Sequence, residues 1–150
     1  MSVRLSRDHE LEIRRHGEES YPHECCGFLL GSGETSARRI EVLRPAVNQR
    51  DESNRHNRYL ITPQSFRDAE NAAREQELEL IGFYHSHPDA DARPSQFDAD
   101  HAWPWYIYII ISVRDGDAGR MTAWTLRDDR AKFDEKPLLV DGAKEPHNAD

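Results

Sequence analysis

The sequence predicts a β-rich domain of the α/β or α+β class. Apolar residues gather in short, dense runs of strand length: CCGFLLG at 25–31, LIGFY at 80–84 and YIYIII at 106–111. Two longer mixed stretches open on helix-start signals, Ser6 and Thr62-Pro63. The 150 residues suit one domain, which at that length buries roughly two-thirds of its unfolded surface.

In chain order, residues 7–20 read as a helix. Ser6 can cap it, Asp8 and Glu10 suit the positive end of the helix dipole, and Leu11 and Ile13 supply a thin apolar face. Tyr21-Pro22 ends it, because proline disfavours a helical residue before it. Residues 25–31 read as a buried strand, Gly31-Ser32-Gly33 as a turn and 38–43 as the paired strand. Residues 46–57 are a polar loop, and 58–61 a short strand. Thr62 and Pro63 start a second helix over 63–77, with Phe66, Ala69 and Ala73 on one face. Residues 78–87 form a strand that turns polar at its end, and Pro94-Ser95 opens a short helix over 95–102. The most apolar strand spans 106–113. Asp115-Gly116 then turns the chain into a strand at 120–127, and 132–140 adds an edge strand. A single domain over 1–140 with a flexible tail over 141–150 is expected.

Composition narrows the function. Leu, Ile, Val and Phe total 29 residues, about 19%, at the border of disordered composition. Their concentration in the strands argues for a folded core. The net charge of −8 lacks the basic footprint of a nucleic-acid binder. No apolar run approaches the ~18 residues of a membrane span, and MSVRLSRDHE has no apolar leader core. The adjacent Cys25 and Cys26 cannot staple the fold and read as small packing residues. A cytoplasmic protein bound to neither membrane nor nucleic acid is expected.

The chemistry concentrates in residues 82–103. His85 and His87 are two apart, so on a strand both imidazoles point to one face. Asp98, eleven residues beyond His87, could complete a three-ligand zinc site with the open position typical of catalytic zinc. Ser95 and Asp98 also have capping-box spacing, a structural role compatible with ligation. His101 is a weaker fourth-ligand candidate than a surface residue, and Asp89, Asp91 and Asp100 read most simply as solvated charges. Trp103 and Trp105 are expected to pack in the core or support the site rather than form a binding patch.

His85-Ser86-His87-Pro88, then Pro94-Ser95, then Asp98, reads H-x-H-P…S-x-x-D, which resembles the signature of the JAMM (MPN-plus) zinc metalloproteases. Upstream, Pro22-His23-Glu24-Cys25-Cys26-Gly27-Phe28-Leu29-Leu30-Gly31 is similar to the family's first strand, and Arg58 to Pro63 to the entry of its second helix. The resemblance implies an α/β, cytidine-deaminase-like fold: a curved mixed sheet with two main helices and one short helix. It implies one zinc per chain on His85, His87 and Asp98, with Glu24 as general acid/base and Ser95 facing the scissile carbonyl.

The implied activity is hydrolysis of an amide or isopeptide bond at the C-terminus of a small ubiquitin-like β-grasp protein ending in Gly-Gly, such as a sulfur carrier or modifier. The tail would lie along a sheet edge. Arg50, Arg55, His56 and Arg58, in or beside the polar loop, are the substrate-contact candidates. The alternative is a non-catalytic scaffold of the same fold, which the complete ligand set disfavours. A zinc deaminase would need H-x-E and P-C-x-x-C patterns, and the sequence has neither.

Overall fold

The computed structural model describes residues 1–34, 37–46 and 61–142. Among the described residues eight strands and three helices follow the order β1 (Ser2–Ser6), α1 (Arg7–Ser20), β2 (Cys26–Glu34), β3 (Ala37–Ala46), α2 (Pro63–Glu75), β4 (Glu79–Pro88), α3 (Gln96–His101), β5 (Ile107–Arg114), β6 (Asp117–Leu126), β7 (Phe133–Lys136) and β8 (Leu138–Asp141). All strands belong to one sheet, ordered β7-β6-β5-β4-β2-β3-β1-β8. It is mixed: β4 runs parallel to β5, and β1 parallel to β3 and β8, whereas the other pairs are antiparallel. The α/β class with two main helices and one short one is as expected.

Two differences from the expectation have physical causes. The N-terminal strand β1 was not foreseen, because Val3 and Leu5 give only two apolar alternations. The segment expected as one edge strand is two strands. Residues 133–136 pair with β6 at one edge, residues 138–141 pair with β1 at the other, and only Pro137 stands between. The sheet must therefore curl until its edges nearly meet, and Val3 N donates to the Pro137 carbonyl (2.9 Å) at the start of the β1–β8 ladder. Of the strand expected over 58–61, residues 58–60 lie outside the described residues and Ile61 is not in a strand.

Helix α1 touches β1, β4, β5, β6 and β8, elements of both halves of the sheet, and so fills the concave side. Ser6 Oγ accepts from His9 N, as the capping pattern required. Its inward face differs from the expected one. Leu11 is 40% exposed, whereas Ile13 is buried with Glu10 and Gly17. Burying Glu10 is tolerable because Arg7 and Arg14 pair with its two oxygens at 2.7 and 3.0 Å. Ile13 joins Leu5, Leu29, Ile40, Ile81, Tyr84, Ile109 and Ile111 in the inner core.

Helix α2 covers the opposite face, against β2 and β4. Thr62 caps it, Pro63 opens it, and Ala69 and Ala73 are its buried contacts. Here Phe83 is the hub of an aromatic layer, with Phe28, Phe66, Tyr106 and Tyr108 rings 5.2–6.1 Å from its own. Strand β4 thus has one core on each side, and its C-terminal end leaves the aromatic layer where His85 and His87 begin.

The parallel β4–β5 pairing requires Gly82, since a Cβ there would stand 2.1 Å from the Ile107 carbonyl oxygen. Gly82→Ala is expected to destabilise the protein by about 3 kcal/mol, an overpacking cost against rigid backbone. A lowered urea midpoint in equilibrium unfolding would register it.

Candidate metal centre

The register of β2 against β4 builds the site. Cys26 lies opposite His85, and Cys25 exchanges two bonds with Ser86, its N–H to Ser86 Oγ (2.8 Å) and its carbonyl from Ser86 N (3.2 Å). Glu24 precedes the paired residues of β2, and its charge reaches His87. Opposed residues share a face, so Cys26, His85 and His87 lie on the α2 side. Cys25, Ser86 and Tyr84 point to the α1 side, where Cys25 and Tyr84 join the inner core.

Asp98 arrives from α3. Its N–H donates to Ser95 Oγ (3.1 Å), and its Oδ2 accepts from Ser95 N (2.7 Å), a complete capping box. The same carboxylate meets both imidazoles, with Oδ1 3.2 Å from His85 Nε2 and Oδ2 3.1 Å from His87 Nε2. The two Nε2 atoms are 3.1 Å apart. All three side chains are buried. His87 Nδ1 lies 2.8 Å from the Asp91 carbonyl. A carbonyl only accepts, so Nδ1 carries the hydrogen and a neutral His87 keeps its Nε2 lone pair for the cluster.

The electrostatics agree. Burial pushes the Asp98 carboxyl up, but the charges and hydrogen bonds of His85 and His87 outweigh it and hold the group well below the usual carboxylate range. Burial lowers His85, against the opposing pull of the Asp98 carboxylate. Burial also acts downward on His87, yet the Asp98 carboxylate, the Asp91 carbonyl and the Glu24 charge together raise it. An ionised buried carboxylate facing two imidazole nitrogens calls for a cation. Ligand atoms about 2.0–2.1 Å from a tetrahedral zinc stand roughly 3.3–3.4 Å apart. The observed 3.1–3.2 Å spacings and the two-imidazole, one-carboxylate donor set fit such an ion.

The remaining expectations divide. Glu24 is 7% exposed, and its charge is felt at His87 and Cys25. The Ser95 hydroxyl serves as a cap through its oxygen, which leaves its hydrogen to donate. His101 is exposed, stacks on Phe97 (4.1 Å) and bonds the Phe97 carbonyl, so it is no part of the cluster. Neither cysteine joins the cluster among the described residues. Arg50, Arg55, His56 and Arg58 lie outside the described residues.

Two readings are corrected. Trp103 and Trp105 are 61% and 47% exposed rather than in the core. Interior aromatic positions are already filled by Phe83, Tyr106 and Tyr108, and the Arg38 guanidinium, 4.0 Å from the Trp105 ring, holds that indole at the surface. With Ile61 and Phe66 the two tryptophans line an open groove of about 810 Å³. Asp89 and Asp91 are not merely solvated. Asp89 accepts from Tyr21 Oη (2.6 Å) and Asp115 N (2.9 Å), and Asp91 pairs with Arg114. These bonds, and those of Ser112 and Thr122 to the same loop, join residues 22–68 positions apart. No local spacing announces them.

Two outcomes are expected. Asp98→Ala should bind no zinc by elemental analysis and also lose about 1 kcal/mol of stability with its half of the capping box. Burial pushes the Cys25 thiol up to about 12 and the Cys26 thiol higher still. Iodoacetamide at pH 8 should therefore label both slowly in the native protein and fully after denaturation, by mass spectrometry.

Among the described residues no helix is long and apolar enough to cross a membrane. Comparison with known proteins matches residues 6–127 to the family described as prokaryotic homologs of the JAB domain. A protein of Haloferax volcanii named Desampylase is 36% identical over 124 residues, which are 80% of this chain and 84% of that one. The solution structure of a Salinibacter ruber protein is 40% identical, with a TM-score of 0.71 over 97% of this chain and 95% of that one. A JAB1/MPN domain protein of Archaeoglobus fulgidus, 18% identical, shares the fold with a TM-score of 0.58 over 93% of this chain and 97% of that one. The chain belongs to the prokaryotic JAB-domain family.

Proposed function

We propose that this protein is a zinc-dependent hydrolase that cleaves an amide or isopeptide bond at the C-terminus of a ubiquitin-like β-grasp protein ending in Gly-Gly, and that one catalytic unit within residues 1–140 does so. The observation that carries the reading is the buried cluster of His85, His87 and Asp98, with the buried Glu24 charge acting on His87. The name of the Haloferax relative, Desampylase, supports the substrate class.

His85, His87 and Asp98 would hold the ion. A bound zinc supplies Lewis acidity, which makes hydroxide accessible near pH 7 and polarises a carbonyl. The chain's own residues do the rest. Glu24, buried beside the ligands, accepts a proton from the attacking water and delivers it to the leaving nitrogen as the C–N bond breaks. The Ser95 hydroxyl, its oxygen fixed by the Asp98 N–H, aims its hydrogen at the carbonyl oxygen as charge develops there. The products are the Gly-Gly carboxylate and a free amine.

The test uses β-grasp proteins from the same organism, each with a short C-terminal extension, read by mass spectrometry. Wild-type protein should trim at least one of them, and a chelator should abolish the reaction. Intact substrates throughout would overturn the assigned substrate class. Glu24→Gln should keep its zinc while the turnover rate falls about 10²–10⁴-fold. Ser95→Ala should cost on the order of 3 kcal/mol of transition-state stabilisation, measured as kcat/KM.

A further inference from the structure

The loop between β4 and α3 carries the carbonyl that orients His87, and its own backbone is tied down at successive residues. Asp89 N donates to the Val113 carbonyl (2.7 Å). Ser112 Oγ donates to the Ala90 carbonyl (2.6 Å), and Thr122 Oγ1 to the Ala92 carbonyl (2.8 Å). Between those two anchors sits the Asp91 carbonyl, which faces His87 Nδ1. Ser112 and Thr122 are both buried. The register places them in line with the site: Ser112 pairs with His87, and Thr122 pairs with Ile110, which pairs with His85.

The direction of the Thr122 bond is also set. Trp124 Nε1 lies 2.7 Å from Thr122 Oγ1. An indole nitrogen only donates, so the Thr122 oxygen accepts from it and turns its own hydrogen to the Ala92 carbonyl. The chain Trp124, Thr122, Ala92 therefore has one consistent orientation.

We propose that Ser112 and Thr122, the latter oriented by Trp124, are positioning residues for the metal centre. By clamping the carbonyls of Ala90 and Ala92 they hold the Asp91 carbonyl against His87 Nδ1. That contact fixes the ring and selects the tautomer whose Nε2 is free to bind a metal. The proposal rests on the metal-site reading above. It assigns to two hydroxyls on neighbouring strands a part in metal affinity, although neither touches the ligand atoms.

Thr122→Val keeps the shape and removes the hydroxyl. Zinc affinity, measured by competition with a chromogenic chelator, is expected to fall about 10–100-fold in Thr122→Val and to stay near wild type in Thr122→Ser. Nitrogen-15 NMR of the metal-free protein supplies an independent readout, at a pH where the ring is neutral. His87 should be a single Nδ1–H tautomer in wild type and in Thr122→Ser, and a mixture in Thr122→Val. Wild-type affinity together with an unmixed tautomer in Thr122→Val would overturn the proposal. Should Thr122→Val fail to fold by thermal melting, Ser112→Ala and Trp124→Phe take its place, with the same direction of change expected. If wild-type protein holds no more zinc than Asp98→Ala, the metal reading falls, and the tautomer measurement still decides the clamp.

Discussion

A carboxylate that stays ionised while 8% exposed, as Asp98 does, must be answered by positive charge and by hydrogen-bond donors. The donor comes from the Ser95 backbone, and the imidazoles of β4 face the remaining lone pairs. Each answer fixes a larger piece of the fold. Helix α3 has to begin at Ser95, and β4 has to end with two histidines on one face. The loop between them must hold Asp98 and His87 at hydrogen-bond distance across eleven residues. Because one carboxylate serves both the helix cap and the ion cluster, local structure and chemistry cannot be altered independently there.

The rest of the molecule gives that arrangement a stiff support. Strand β4 is central in the sheet, with α1 and the inner core on one side and the aromatic layer on the other. Tyr84 shows how closely the parts fit. Its ring occupies the space above Gly27, and its hydroxyl reaches His16 Nδ1 on α1 (2.8 Å). One residue further along β4, on the opposite face, His85 enters the metal cluster. A strand gripped on both faces and both edges leaves its last side chains little freedom, as a preorganised site requires.

The parts legible in the sequence were those whose partners are close in the chain. The H-x-H pair needs only the period of a strand, and Ser95 with Asp98 only the first turn of a helix. Helices α1 and α2 announced themselves through Ser6, Thr62 and Pro63. What stayed hidden depends on distant pairing. Glu10 turns inward because two arginines neutralise it, and Trp105, in the turn before β5, stays outward because Arg38 of β3 stacks on it. The split of residues 133–141 between two edges follows from the curl of the sheet, which no local pattern encodes. The metal motif was readable residue by residue, whereas the hydroxyls of Ser112 and Thr122 behind it were not.

The double duty of residues 133–141 has a consequence for how the chain reaches its native state. Strand β1 waits for residues 138–141, more than 130 positions along the chain, whereas β6 needs only the neighbouring residues 133–136. Until residues 138–141 dock, the outer edge of β1 presents unpaired backbone N–H and C=O groups, the kind of surface that recruits strands from other molecules. Non-local closure of this sort is slow. The stretch around Pro137 thus acts as a clasp, and until it shuts the edge of β1 stays open to strands of other chains.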